Sequence, residues 1–258
     1  MVSANGEPRS QHQPRPVHWG ADGERSTLVP QHDAGRRWRE VQSPLPNLSL
    51  SQYWSSVRKR LRLLIVSIAR AWNFADAWES VATRLQDAPA QQHQDQIFSW
   101  SVFNSRANGV ASTLLQAGVR QQDKVAQYMY NCPQYLESIF ATFKAGLAPV
   151  NTNYRYTDDE LVYIWDNADV VAVVFHGVFT ETIERLRHRV PGVIVWLWVS
   201  DGSGPCPMWA TDYEVCAEQG TETNVQGSWG RTGDDLLLLY TGGTTGMPKG
   251  VMWRQEDL

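Results

Sequence analysis

From Asn73 onward the hydrophobic and polar positions alternate between helical and strand periods. Phe74, Ala77, Trp78, Val81, Ala82 and Leu85 share one helical face, with Pro89 just beyond its end. Ile97–Trp100 reads as a short strand. Phe103, Ala107, Val110, Ala111, Leu114 and Leu115 make a second helical stripe, capped at Gly118. Lys124–Tyr130 predicts a strand, and Pro133 opens a helix carrying Leu136, Ile139, Phe140 and Phe143 that closes near Gly146. Leu147–Asn151 predicts another strand. Thr157-Asp-Asp-Glu160 has the spacing of a capping box, so a helix should run from there to about Ala168. Val170–Phe175 is an unbroken apolar run, as expected of a strand covered on both faces. A charged helix over 180–190, a strand over 193–199, a short helix over 211–218 and the apolar run Leu236–Tyr240 complete the pattern. Strands alternating with helices of this length predict an α/β fold of βα units around a mainly parallel sheet.

The first 70 residues have a different texture. They carry 11 Lys and Arg against 5 Asp and Glu, whereas residues 71–258 carry 12 against 22. Prolines break the segment and no apolar period runs through it, so residues 1–72 read as a basic, Pro- and Arg-rich extension. Trp19, Trp38 and Trp54 lie among arginines without the pattern of a nucleic-acid-binding module, so no nucleic acid is expected as a partner. Val57–Ala69 joins a basic cluster to an apolar run. It lacks a cleavage site and the roughly 18 apolar residues of a membrane span, so it reads as a local helix that packs on the domain or lies at an interface. Three cysteines, Cys132, Cys206 and Cys216, form no CxxC pair and read as reduced thiols of a cytoplasmic protein, a membrane-peripheral placement staying open.

The chemistry lies in Tyr240-Thr-Gly-Gly-Thr-Thr-Gly-Met-Pro-Lys-Gly250, which leaves the last apolar strand as a loop. Glycines let backbone amides converge on an anion, threonine hydroxyls add donors, and a lysine adds a mobile charge suited to phosphate. The carboxyl end of a sheet strand is where open α/β sheets place ligands. A P-loop needs Gly before its Lys and Ser or Thr after it, but Lys249 stands between Pro248 and Gly250. The dinucleotide fingerprint needs glycines two and then three apart, which Gly242, Gly243, Gly246 and Gly250 do not supply.

Tyr240–Gly250 closely resembles the signature loop of the adenylate-forming, or AMP-binding, superfamily. Asn73-Phe-Ala-Asp76 resembles the start of that family's large domain. Asn131-Cys-Pro, Lys144–Arg155 and Asp158-Asp-Glu-Leu161 are similar to stretches of bacterial fatty-acyl-CoA synthetases, including the steroid-side-chain type, as are Gly242 and Met252-Trp-Arg254. The resemblance implies an AMP-forming acyl-CoA synthetase: a carboxylate, fatty or steroid side-chain, attacks the α-phosphate of Mg2+-bound ATP, and coenzyme A then displaces AMP. It implies that Thr241, Gly242, Gly243, Thr244, Thr245, Gly246 and Lys249 hold the ATP phosphates. Other adenylating enzymes, acting on amino acids or aryl acids, share the loop.

Members of that family run to roughly twice this length. The segments that hold the adenine, ribose and magnesium contacts, the hinge and the catalytic lysine have no counterpart here. No residue is therefore assigned a catalytic role and none a metal. Residues 73–258 read as an incomplete N-terminal large domain of the adenylate-forming fold, broken off after the phosphate loop and expected to be poorly soluble and inactive alone. The competing reading is a nonenzymatic product that binds nucleotide weakly or pairs with a complementary half. His93, His176 and His188 have no metal-ligand spacing. Glu181, Glu184, Arg185, Arg187 and Arg189 read as a solvated helical face, and Trp196 and Trp198 as core or interface.

Overall fold

The computed structural model describes residues 72–243 and 246–258. Helix α1 (Phe74–Arg84) leads into a hairpin of β1 (Pro89–His93) and β2 (Gln96–Ser99), followed by α2 (Trp100–Gln116). Then β3 (Lys124–Tyr128), α3 (Pro133–Lys144), β4 (Ala148–Asn151), α4 (Asp158–Asn167), β5 (Val170–His176), α5 (Thr180–Leu186) and β6 (Val195–Val199) alternate. The short β7 (Thr211–Asp212) and α6 (Tyr213–Glu218) precede the final pair, β8 (Leu236–Gly243) and β9 (Gly246–Arg254). The extension 1–71, with the helix expected over 57–69, lies outside the described residues.

Seven strands form one sheet in the order β7-β6-β5-β3-β4-β8-β9. Every pairing is parallel except the β8–β9 hairpin. The order changes direction at β3: the chain steps to β4 on one side and then crosses to β5 on the other. Alternation along each strand divides the core in two. Val125, Ala172, Val174 and Leu197 face one layer with Phe103, Val110, Phe140 and Tyr213 of α2, α3 and α6. Ala126, Val150, Val173 and Phe175 face the other with Leu161, Ile164, Trp165 and Ile183 of α4 and α5.

Local chemistry fixes the helix ends. The Thr157 hydroxyl accepts from the Glu160 amide while the Glu160 carboxylate accepts from the Thr157 amide, the reciprocal capping box. Pro133 opens α3 at a position that needs no amide donor. Gly146, at φ +69°, closes it: its amide donates to Phe143 and that of Leu147 to Thr142, a turn that a left-handed glycine adopts without strain.

Two ion networks tie the helices of one layer together. Lys144 on α3 is fully buried and donates to Glu79 of α1 at 2.6 Å, while Arg231 grips both oxygens of Glu79 at 2.9 Å. Burial drives the Lys144 ammonium down to about 8 against the opposing pull of Glu79. Burial alone would raise Glu79, but bonds from Arg231 and Lys144 outweigh it and hold the carboxyl below its usual range. In the second network Arg106 of α2 bridges Glu137 of α3 at 2.9 Å and Glu214 of α6 at 3.0 Å. Glu137 is wholly buried, and its carboxyl is raised by that burial despite Arg106.

Candidate phosphate-binding site

The segment read as a loop is largely strand. Hydrogen bonding of β8 continues through Thr241 to Gly243, and β9 begins at Gly246, so the hairpin carries the glycines up to a tight tip. Thr244 and Thr245 lie outside the described residues. Thr241 stands directly across from Lys249, and Gly243 across from Gly246. Directly opposed antiparallel residues share a face with Cβ atoms about 5 Å apart. Thr241 and Lys249 are both exposed, one pair below the glycine tip. Of the expected phosphate contacts the structure thus brings together Thr241, Gly242, Gly243, Gly246 and Lys249.

The charge around the hairpin favours an anion at that tip. Of the acidic residues flanking it, Asp234, Glu256 and Asp257 are each within ion-pair distance of Arg254, the Asp234 contact being 2.6 Å, and Asp235 is buried, accepting from the Thr232 amide and hydroxyl. Among the described residues none forms an ion pair or hydrogen bond with Lys249. An exposed ammonium beside a run of glycine amides suits a polyphosphate, since charge and donors both favour oxyanions.

Three side chains outside the signature fix the hairpin's register. Strand β4 pairs with β8 only at Val150 and Asn151. Where its backbone stops, the Asn151 side chain continues the ladder, its Oδ1 accepting the Tyr240 amide at 2.9 Å. Gln122 does the same at the other end, its Oε1 accepting from the Leu236 amide at 2.7 Å. The Tyr240 hydroxyl donates to Asn167 at the end of α4, 2.8 Å away. Its ring crosses Gly250, where a Cβ would meet the ring at 2.8 Å. Gly250 is thus a packing position, whereas the other loop glycines sit at the tip. These partners are not read from the motif; the one signal for Asn151 is its place in a stretch already similar to acyl-CoA synthetases.

The other sequence candidates fall where the patterns put them. His176 is buried at the carboxyl end of β5, its Nδ1 accepting from the Tyr130 amide at 3.1 Å, and burial lowers its pKa against the charge of Asp201. Arg185 and Arg189 pair across the surface with Asp158 and Asp159. Trp198 is core and Trp196 packs against it. Cys132, Cys206 and Cys216 are free thiols, and burial pushes Cys132 up to about 11. Among the described residues no group of three or more His, Cys, Asp or Glu side chains is placed to hold a metal ion. Among them no helix is long and apolar enough to cross a membrane.

Known proteins resemble this chain over most of its length. The chain is 34% identical over 191 residues to the 3-oxocholest-4-en-26-oate–CoA ligase of Rhodococcus rhodochrous, covering 73% of this chain and 34% of that protein. It is 31% identical over 196 residues to the medium-chain acyl-CoA ligase Mig of Mycobacterium avium, covering 70% of this chain and 35% of Mig. The chain therefore spans about a third of the length of these curated relatives. The crystal structure of the anthranilate CoA ligase AuaEII in complex with anthranoyl-AMP superposes with a TM-score of 0.66 at 22% identity, covering 74% of this chain and 36% of AuaEII. That likeness shows the fold: the chain has part of the N-terminal α/β architecture of adenylate-forming enzymes. Residues 78–258, well over half of the chain, match the family described as AMP-binding enzyme, and the chain belongs to that family.

Proposed function

We propose that this chain is the phosphate-holding N-terminal part of an AMP-forming acyl-CoA synthetase. Such an enzyme couples ATP to activation of a fatty or steroid side-chain carboxylate. The carboxylate oxygen attacks the α-phosphorus, the bond to the bridging oxygen breaks, and pyrophosphate departs from the acyl-adenylate. The sulfur of coenzyme A then attacks the acyl carbon and AMP leaves. Residues 73–258 are in this reading a partial AMP-binding domain, and residues 1–72 a basic extension. The substrate class rests on the relatives, two of which are ligases of a cholesterol-derived acid and of medium-chain acyl groups.

The single observation that carries the reading is the β8–β9 hairpin, which sets exposed Lys249 against Thr241 below a glycine tip. There the amides of Gly242, Gly243 and Gly246 and the hydroxyls of Thr241, Thr244 and Thr245 would donate to the β- and γ-phosphates. The ammonium of Lys249 would offset the negative charge that builds on departing pyrophosphate, an interaction that strengthens toward the transition state. The donor set fits ATP. Mg2+ would neutralise phosphate charge when bound, and no residue of this chain is assigned to it or to coenzyme A.

Pyrophosphate and ATP titrated into the full chain by calorimetry test the site. Lys249→Ala should weaken pyrophosphate binding at least tenfold and reduce its dependence on salt; equal binding by the two proteins overturns the assignment. Carboxylate-dependent exchange of label between pyrophosphate and ATP, tried with fatty and steroid side-chain acids, would extend it from phosphate binding to the first chemical step.

A further inference from the structure

The strand registers align one row of residues across the sheet. Val174 of β5, Gln127 of β3, Asn151 of β4 and Leu239 of β8 are successive partners. Val174 lies in the layer beneath α2 and α3, and aligned residues of parallel strands point to the same face. Gln127 therefore stands in that apolar layer, between Val125 and Met129 of its own strand. Its side chain is wholly buried, yet among the described residues neither Oε1 nor Nε2 has a hydrogen-bond partner. The buried hydroxyls of α3 do not supply one: Ser138 donates to the Tyr135 carbonyl at 2.9 Å and Thr142 to that of Ser138 at 2.7 Å.

A carboxamide carries two hydrogens to donate and two lone pairs, and leaving them unmet in an apolar layer is costly. Burial falls along the row, from wholly enclosed Val174 and Gln127 to half-buried Asn151 and then Leu239, 39% exposed. The side of Gln127 toward Asn151 is thus the one nearer solvent. Neighbouring strands lie about 5 Å apart, so the two carboxamides stand side by side. Polar groups so placed but not directly bonded are joined by water, and buried waters sit on polar groups that lack other partners. Asn151 makes one side-chain hydrogen bond among the described residues, its Oδ1 accepting from the Tyr240 amide at 2.9 Å. Turned by half, it would aim Nδ2, a donor, at that amide, so whatever holds Nδ2 selects the orientation.

We propose that Gln127 is a positioning residue for the β8–β9 hairpin, acting through a buried water held between its carboxamide and that of Asn151. The water accepts from Asn151 Nδ2 and donates to Gln127 Oε1, which keeps Asn151 Oδ1 on the Tyr240 amide; a second water accepts from Gln127 Nε2. Tyr240 directly precedes the glycine-rich run, so the orientation of one carboxamide is passed to the tip. The water site stands on the strand registers and the buried carboxamide; only its consequence for phosphate rests on the proposed function.

Nuclear magnetic resonance on the isotope-labelled full chain tests the site. In wild type the side-chain amides of Asn151 and Gln127 should cross-relax with long-lived water. Gln127→Met, similar in length but without the carboxamide, should abolish the Asn151 signal and speed Tyr240 amide exchange roughly tenfold, the scale of one lost hydrogen bond. The Leu236 amide, held by Gln122 at the other end of β8, should exchange as before. In an Asn151→Leu background Gln127→Met should leave Tyr240 exchange unchanged. Pyrophosphate should bind Gln127→Met at least threefold more weakly than wild type, with no further loss when the change is added to Asn151→Leu. Wild type without water signals at the two carboxamides overturns the site, whatever the variants do. Equal acceleration at Tyr240 and Leu236 overturns the positioning role, since it marks a general loosening of the sheet. Unchanged pyrophosphate affinity in Gln127→Met overturns the link to phosphate. A wild type that binds no pyrophosphate overturns the proposed function instead, and the water and exchange measurements still decide the site.

Discussion

At the residue scale, the signature region combines two kinds of glycine with different consequences. Those at the tip leave backbone open to a ligand, whereas Gly250 makes room for the Tyr240 ring. That ring cannot swing aside freely, because its hydroxyl is held by Asn167. Gly250→Ala should therefore cost about 1–3 kcal/mol, the range for forcing an extra methyl into a packed site. Urea unfolding measures it, and the loss should largely vanish in a Tyr240→Leu background. Asn151 makes a complementary case. Asn151→Leu removes the acceptor for the Tyr240 amide and should cost about 1–3 kcal/mol, the range for an orphaned buried donor. It should also weaken pyrophosphate binding by loosening the hairpin. An unchanged unfolding midpoint would show that the amide finds another partner.

Between elements, the Glu79–Lys144–Arg231 network links α1, α3 and the segment before β8 across 65 and 152 residues of sequence. It carries a signed pH dependence. Lys144 titrates at about 8 in the fold against an ordinary value of 10.5. Between those values the unfolded chain holds a proton that the folded chain has released, so Lys144 makes stability rise with pH across that window; below about 8 both states are protonated and its slope vanishes. Buried cysteines and tyrosines, whose pKa values burial raises, push the other way. The clean observable is thus the difference between wild type and Lys144→Met. Wild-type stability minus that of Lys144→Met should increase from pH 7.5 to pH 10 in urea titrations. A constant difference would mean that Lys144 keeps its proton throughout.

The same spacing explains what the sequence hides. Apolar runs and caps make β3, β5, β6, α3 and α4 legible, since their signals are local: Val170–Phe175 announces a strand covered on both faces, and Thr157 with Glu160 announces a helix start. Strand β1 is not legible, because Pro89-Ala-Gln-Gln-His93 is polar and becomes a strand only through its hairpin with β2. The glycine-rich segment reads as loop, yet cross-strand bonds keep it extended to Gly243. Lys144 stands in an otherwise apolar stretch, and nothing near it in sequence names Glu79 as its partner. For the candidate site, the motif supplies the donors, while Asn151, Gln122 and Asn167, which set their register, come from distant elements.

Across the whole molecule, the sheet is graded from centre to edge. Strands β3 and β5 have a parallel neighbour on both sides and helices on both faces, and their residues are almost wholly buried. At one end of the sheet order β9 pairs, among the described residues, with β8 alone, and β8 touches β4 through two residue pairs. Amides open individually where few buried apolar contacts hold them and only by global unfolding where many do. Native-state hydrogen exchange should therefore be slowest across Val125–Tyr128 and Val173–Phe175 and tend toward the global unfolding free energy there. The β8–β9 amides should exchange through a smaller, separate opening of the hairpin. Pyrophosphate bound at the tip stabilises only states in which the hairpin is formed, so saturating ligand should slow exchange in β8 and β9. The central strands should slow only as far as global unfolding also releases ligand. If β9 exchanged as slowly as β5 without ligand, the sheet would unfold as one unit and the tip could not order independently. A separate hairpin opening that pyrophosphate suppresses would instead make β8–β9 a clasp that phosphate sets, built on a sheet that stands without it.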